Sequence, residues 1–332
     1  MSHEEGIRQR KAQHLEICIT PDRYAVENGG TMLDHVRFVH RALPEINADE
    51  VDPSIDFLGY RVSLPVFISS MTGGSAEGYR ANKDLARVAQ EARLPVGMGS
   101  IRILFRKPEV MDHFRLKRIA PDVPVFGNIG GVQLRGPDNG PLVELLKELE
   151  VDAVAVHLNP AQELAQPEGD RDFSGVLDGI RRLADQSPVP VIVKETGAGI
   201  APDDVKRLLD SGVRFVNVAG SGGTNWMTVE GFRLSEADRT VTDEFAGWGT
   251  PTGVLVAAAG EFPGRVLASG GLRTGMDVAK VIALGAVSAG LALPFIRAVS
   301  AKGVDGGLEF VQRLRTVIQN VMVLTGSRNV ND

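Results

Sequence analysis

Eight short apolar runs recur along the chain, each ending in small or polar residues and each followed by a stretch of helical periodicity, and this alternation restricts the fold more than any other feature. The runs occupy 62–70, 95–100, 124–129, 152–159, 189–195, 214–219, 265–269 and 286–292, with helical stretches at 77–92, 141–148, 173–184, 203–211 and 276–284. Strands that alternate with helices build a parallel sheet, and eight of them suit a closed barrel better than an open doubly wound sheet. The length of 332 residues, the 43% hydrophobic content and the 38 glycines fit one barrel of about 250 residues with extensions. No G-x-G-x-x-G follows the first run, where Met71-Thr72-Gly73-Gly74 stands instead, which argues against a dinucleotide-binding sheet. The expected fold is α/β, a (β/α)8 TIM barrel forming a single domain over 1–332. An N-terminal helical extension covers residues 1–50, barrel and C-terminal helices cover 51–332, and a long loop at 220–251, the size of an active-site lid, follows the sixth strand.

A net charge of −6 with no block of lysines or arginines gives no footprint for nucleic acid. The single cysteine, Cys18, cannot form an intrachain disulfide, and the acidic start Met1-Ser2-His3-Glu4-Glu5 precedes no apolar signal segment, so a reducing cytoplasm is the expected setting. The most apolar stretch, 281–296, is interrupted by Gly285, Gly290 and Pro294 and is too short to span a membrane.

In such barrels chemistry gathers at the C-terminal strand ends. Ser269-Gly270-Gly271 closes the seventh strand and Ala292-Leu293-Pro294 the eighth, so backbone N–H groups and a helix start can converge on the phosphate of a cofactor or of a substrate, with Thr224 from the sixth loop adding a hydroxyl; the alternative is that the glycines only turn the chain. Lys194 ends the apolar fifth strand and points into the barrel mouth, where it needs an anion, a Schiff-base partner or a salt bridge to Glu195. Ser100 and Asn128 suit hydrogen bonds to the edge of a planar ring, or equally a satisfied barrel layer.

The densest polar cluster follows the fourth strand: His157, Asn159, Gln162 and Glu163. One hard carboxylate among neutral oxygen donors suits Mg2+ shared with a substrate phosphate, whereas zinc would want a second histidine or a cysteine. A solvated loop with a helix cap is the alternative. Near the N-terminus, Arg10-Lys11-x-x-His14 puts three groups on neighbouring turns able to face one anion, although a solvated face is the default for a terminal basic helix, and Arg102 after the second strand offers a rigid fork for the same ligand.

Together these segments resemble the type 2 isopentenyl-diphosphate isomerase family. The series that carries the resemblance runs over nearly the whole chain: Arg10-Lys11-x-x-His14, Met71-Thr72-Gly73-Gly74, Gly99-Ser100-x-Arg102, His157-x-Asn159-x-x-Gln162-Glu163, Lys194-Glu195, Gly223-Thr224-x-Trp226, Ser269-Gly270-Gly271-x-Arg273 and Met322-x-Leu324-Thr325-Gly326. Asn225 departs from the family's more usual serine and puts one local hydrogen bond in question. The resemblance implies an FMN-dependent barrel that interconverts isopentenyl and dimethylallyl diphosphate in isoprenoid biosynthesis, with Mg2+ and NADPH as reductant. It also implies a cytoplasmic homo-oligomer, a tetramer or octamer. Carried over by position, Ser70, Met71, Thr72, Ser100, Asn128, Lys194, Thr224, Gly271, Leu272, Arg273, Ala292 and Leu293 would hold FMN. Arg10, Lys11, Ser100, Arg102, His157 and Gln162 would hold the diphosphate substrate, Glu163 the magnesium, and Gln162, His157 and Lys194 would serve the catalysis.

Moving an unactivated double bond requires adding a proton at one carbon and removing one from another, with no net electron transfer. The resemblance implies that reduced FMN supplies and accepts these protons while the protein positions and polarises. A hydroxy-acid oxidase would need a histidine base with a neighbouring arginine after the sixth strand, and no histidine occurs between Lys194 and Arg273. An IMP-dehydrogenase-like enzyme would need a nucleophilic cysteine near the phosphate site, and a non-catalytic flavin- or phosphate-binding barrel would have little use for Gln162, Glu163 and Lys194 together.

Overall fold

The computed structural model describes residues 13–71 and 76–332. Arg10, Lys11 and Thr72, to which the sequence assigns ligand contacts, lie outside the described residues. Among the described residues, ten strands form two sheets. Strands β1 (Ile55–Phe57) and β2 (Tyr60–Val62) make an antiparallel hairpin, and the remaining eight close in the order β10-β3-β4-β5-β6-β7-β8-β9, all parallel. These are β3 (Val66–Ile68), β4 (Val96–Gly97), β5 (Val125–Gly130), β6 (Ala153–His157), β7 (Val191–Lys194), β8 (Phe215–Asn217), β9 (Val266–Ser269) and β10 (Ala289–Leu291). The (β/α)8 barrel expected from the sequence is the fold observed, and each helical stretch lies within three residues of its expected start.

The first expected run needs correction. Residues 62–70 are not one strand: Val62 ends the hairpin, whose turn is Leu58-Gly59 with φ of 51° and 82°, and the barrel strand begins at Val66. Left-handed backbone at both turn residues is the twist that a two-residue hairpin demands. Pro65, which has no N–H to give to a ladder, separates the two strands.

The hairpin closes the N-terminal end of the barrel. Phe57 and Val62 join Phe67, Phe126, Ala153, Ile192, Phe215 and Leu267 in one buried layer inside the sheet, with Phe57 5.3 Å from Phe215 and 6.2 Å from Phe126 between ring centroids. Lys117 fastens this plug: its ammonium donates to Asp152 Oδ2 (2.8 Å), to the Tyr60 hydroxyl (2.9 Å) and to the Val123 carbonyl (3.0 Å). Burial would depress the Lys117 pKa, but the bonds to Asp152 and Tyr60 raise it instead.

Strand periodicity then places the functional layer. Successive side chains alternate faces, so Val191, Val193, Val266 and Ala268 face the helices while Ile192 and Leu267 face inward. Two residues on from Phe126, Ile192, Phe215 and Leu267 stand Asn128, Lys194, Asn217 and Ser269, so the same pleat that packs the floor turns these polar groups toward the barrel mouth.

The segment 220–251 is not a structureless lid. It folds into helices Trp226–Gly231 and Glu236–Asp243, its ends are tied by the Ser221 to Pro251 bridge, and residues 227–231 are buried. Asn225 caps the first helix by accepting from Thr228 N (3.1 Å) and donates to the carbonyls of Phe245 and Ala246 (3.0 Å each), so the unusual asparagine is fully used.

Candidate active site

A cavity of about 350 Å3 opens at the C-terminal end of the barrel, a size usual for a cofactor or metabolite site. Of the residues singled out from the sequence, Ser70, Met71, Ser100, Arg102, Asn128, His157, Gln162, Glu163, Lys194, Thr224, Gly271, Arg273, Ala292 and Leu293 line it. Leu272 does not: its side chain is buried in the core between sheet and helices. His14 also reaches the cavity wall, edge-on to Trp226 at 5.2 Å.

One end of the cavity could hold a phosphate. Gly270 and Gly271 adopt φ of 94° and 74°, and a Cβ on either would overlap backbone of the glycine-rich loop after β8. The helix Leu293–Thr325 begins alongside, without a side-chain cap on its first N–H groups. Glycine is required here because two backbones must touch.

Lys194 occupies the middle of the barrel mouth. Burial pulls its pKa down from 10.5 to about 8, opposed by the Glu195 charge, and no hydrogen bond or ion pair to its ammonium is found among the described residues. The Glu195 carboxylate, the partner considered from the sequence, is spent elsewhere: it accepts from the N–H groups of Gly197 (2.6 Å), Ala198 (2.5 Å) and Gly199 (3.1 Å), which fixes the loop after β7. A cation in such surroundings calls for an anionic ligand. Ser69 Oγ, buried at the cavity without a partner, is a second group waiting for one. The glycine cradle, the unmatched ammonium and this hydroxyl are groups that could hold a flavin mononucleotide.

The Lys194 shift has a measurable sign. Its folded-state pKa lies below the ordinary value, so between about pH 8 and 10.5 the unfolded chain holds a proton that the folded one lacks, and stability rises with pH across that window. The flavin-free protein should gain on the order of 2 kcal/mol relative to Lys194→Met from the bottom to the top of the window. Parallel denaturant titrations of the two proteins would check this, and a difference that stays flat would mean the ammonium is well solvated.

On the other side of the cavity, His157 and Asn128 are joined, with His157 Nδ1 3.0 Å from Asn128 Oδ1. The helix Pro160–Ala165 carries Gln162 and Glu163. Asn159 Nδ2 donates to Gln162 Oε1 (3.1 Å) and to Glu163 Oε1 (3.0 Å), while Glu163 Oε2 accepts from Asp170 N. No cluster of three metal-ligating side chains exists among the described residues. One carboxylate with amide oxygens could hold a hard cation such as Mg2+ only if its remaining ligands come from outside the protein.

The residue that sequence reasoning missed is Glu230. It lies in the 220–251 segment, its side chain is 1% exposed, and the polar groups of three segments converge on it. Gln162 Nε2 donates to its Oε1 (2.9 Å), as does Gln166 Nε2 (2.6 Å). His14 Nε2 lies 2.9 Å from the same oxygen, and Arg233 pairs with Oε2. Burial would raise its pKa, but the His14 and Gln162 bonds and the Arg233 charge outweigh it and bring the carboxyl down to about 2. The spacing Trp226 to Glu230, one helical turn, was the available signal. Cys18 needs no role here, since burial pushes its thiol up to about 12 and leaves it unreactive.

Comparison with known proteins agrees with this geometry. The profile of the FMN-dependent dehydrogenases matches residues 19–104 and 150–332. The isopentenyl-diphosphate delta-isomerase of Borrelia garinii subsp. bavariensis is 42% identical over all of this chain and 93% of its own length. That of Thermococcus onnurineus is 41% identical, covering 97% of this chain and 88% of its own. Among solved structures, a mandelate oxidase variant bearing an FMN adduct superposes with a TM-score of 0.64 at 20% identity, covering 96% of both chains. A flavocytochrome b2 variant gives 0.67 at 20%, over 96% of this chain and 80% of that one, and both likenesses establish the fold alone. On the sequence relatives, the chain belongs to the isopentenyl-diphosphate delta-isomerase family, within the FMN-dependent dehydrogenases.

Proposed function

We propose that this chain interconverts isopentenyl diphosphate and dimethylallyl diphosphate. The observation that carries the reading is the cluster behind the cavity lining: a buried, ionised Glu230 holding Gln162 and His14, both of which line the cavity, in a chain with no histidine after β8 to act as the base of a hydroxy-acid oxidation. When bound, reduced FMN would supply an exchangeable proton and an electron-rich ring.

The chain's own residues bind and polarise. Arg102 and His157 line the same cavity as Glu163 and suit the diphosphate, and Trp226 gives the prenyl chain an apolar wall. Lys194 balances negative charge on the ring system, and Glu163 would share Mg2+ with the diphosphate. Glu230 is too acidic to serve as a strong base; its fixed negative charge instead favours the positive charge that develops on a protonated alkene, and it orients the Gln162 amide. Arg10, Lys11 and Thr72 complete the substrate and flavin contacts in this reading, and NADPH serves only to reduce the flavin. A homo-oligomer in the cytoplasm, a tetramer or octamer, follows from the family resemblance. No helix among the described residues is long and apolar enough to cross a membrane.

The test is formation of dimethylallyl diphosphate from isopentenyl diphosphate, assayed anaerobically with FMN and Mg2+, with and without dithionite. Product only after reduction is the expected outcome. Bound FMN with no product in either state would reject the isomerase and favour oxidoreductase substrates.

A further inference from the structure

The phosphate end of the cavity carries a charge arrangement that the barrel itself does not require. Arg273, just after the glycine pair, lines this end of the cavity, and Arg297, which does not line it, sits one turn into the helix Leu293–Thr325 that begins there. Both are engaged by a single carboxylate, that of Glu27. Its Oε1 accepts from Arg273 Nε at 2.7 Å and lies 2.5 Å from Nη2, while Oε2 accepts from Arg297 Nη1 at 3.1 Å. All three side chains keep only about a third of their surface, at 35%, 28% and 29%.

Glu27 comes from outside the barrel. Residues 26–28 lie along the glycine-rich loop after β8: Glu27 bridges to Thr224, Asn225 N donates to the Val26 carbonyl (2.8 Å), and Asn28 N donates to the Gly223 carbonyl (3.3 Å). Further back, the same segment places Cys18, whose carbonyl accepts from Arg297 Nε (3.2 Å), and His14, which meets Glu230. The N-terminal arm therefore touches the phosphate loops at one point and the catalytic wall at another.

We propose that Glu27 is the counter-ion of the cofactor-phosphate site: a positioning residue that pre-orients Arg273 and Arg297, tempers their pull on the phosphate, and fastens the N-terminal arm across that site. The inference rests on the assignment of FMN to this cavity. Two cations already matched by one carboxylate present an entering phosphate with one net positive charge from these side chains instead of two. A flavin without a phosphate does not feel that difference, whereas both flavins feel any loosening of the arm.

That contrast supplies the test. Flavin-free wild-type protein, Glu27→Gln and Glu27→Asp are titrated with FMN and with riboflavin, following quenching of flavin fluorescence. In Glu27→Gln the preference for FMN, read as the riboflavin Kd divided by the FMN Kd, should rise about 3- to 10-fold, and the excess should shrink in 1 M salt. Glu27→Asp, which keeps the charge, should stay near the wild-type ratio. An unchanged or lower ratio in Glu27→Gln overturns the inference, because a purely structural role weakens both flavins in proportion. Wild-type protein that binds neither flavin would instead overturn the FMN assignment, and this inference with it. Should Glu27→Gln fail to fold, Arg297→Gln carries the same test with the opposite sign.

Discussion

Glu230→Gln should lower kcat for the isomerisation by about 10²- to 10³-fold while leaving FMN affinity within about twofold. The substitution keeps the shape of the side chain and removes its charge. Gln162, Gln166, His14 and Arg233 all direct polar hydrogens or positive charge at this carboxylate, so the neutral amide can satisfy only part of the set. The fixed anion that steadies a developing positive charge disappears at the same time, which is a loss felt in the transition state more than in the ground state. Steady-state rates on the flavin-loaded variant, with a parallel flavin titration, separate the two effects. A kcat within threefold of wild type would remove Glu230 from the chemistry and leave Gln162 to be explained by packing alone.

A second large effect is expected at Gly270. The residue sits at φ 94°, where an L side chain is strained, and an added Cβ would overlap the Gly220 carbonyl oxygen and approach Gly220 N at 2.8 Å. Neither obstacle is the end of a flexible side chain. Thr252 Oγ1 also donates its one proton to the Gly270 carbonyl (2.6 Å), with the Ser269 carbonyl 3.1 Å away, so the loop cannot retreat without breaking that bond. Gly270→Ala should cost on the order of 2–4 kcal/mol of stability and weaken FMN by at least about 100-fold, since the phosphate-facing N–H groups would be displaced. Urea unfolding and flavin titration read the two losses. A variant that unfolds at the wild-type midpoint and still takes up FMN would show that the two loops have slack, contrary to the close backbone contact described.

Much of the barrel was legible in the amino-acid order because it is written in local terms. A strand buried on both faces is a short apolar run, its end is a glycine or a polar residue, and the following helix repeats every three to four positions. The single misjudged run, 62–70, failed at Pro65, where a missing N–H splits an otherwise continuous apolar stretch between a hairpin and the barrel. Lys194 was legible for the same reason, since a lysine two residues beyond Ile192 must share its face.

Contacts between distant segments were not legible. Glu230 reads as one acid in a glycine-rich and charged insert, and nothing local shows that its helix packs with that face inward against Pro160–Ala165 and the segment carrying His14. Glu27 likewise reads as a surface acid beside a Gly-Gly turn. Its two arginines stand 246 and 270 residues away. Burial and ion pairing depend on which surfaces meet after the chain has closed, a property of the whole packed structure that spacing does not encode. The order of residues thus determined the barrel, its phosphate end and the cation at its mouth, through pleat and helix periods that act over a few positions. Tertiary packing alone decided which carboxylates stand against the residues of the site, because only the folded molecule withdraws water from Glu230 and sets a single acid between Arg273 and Arg297.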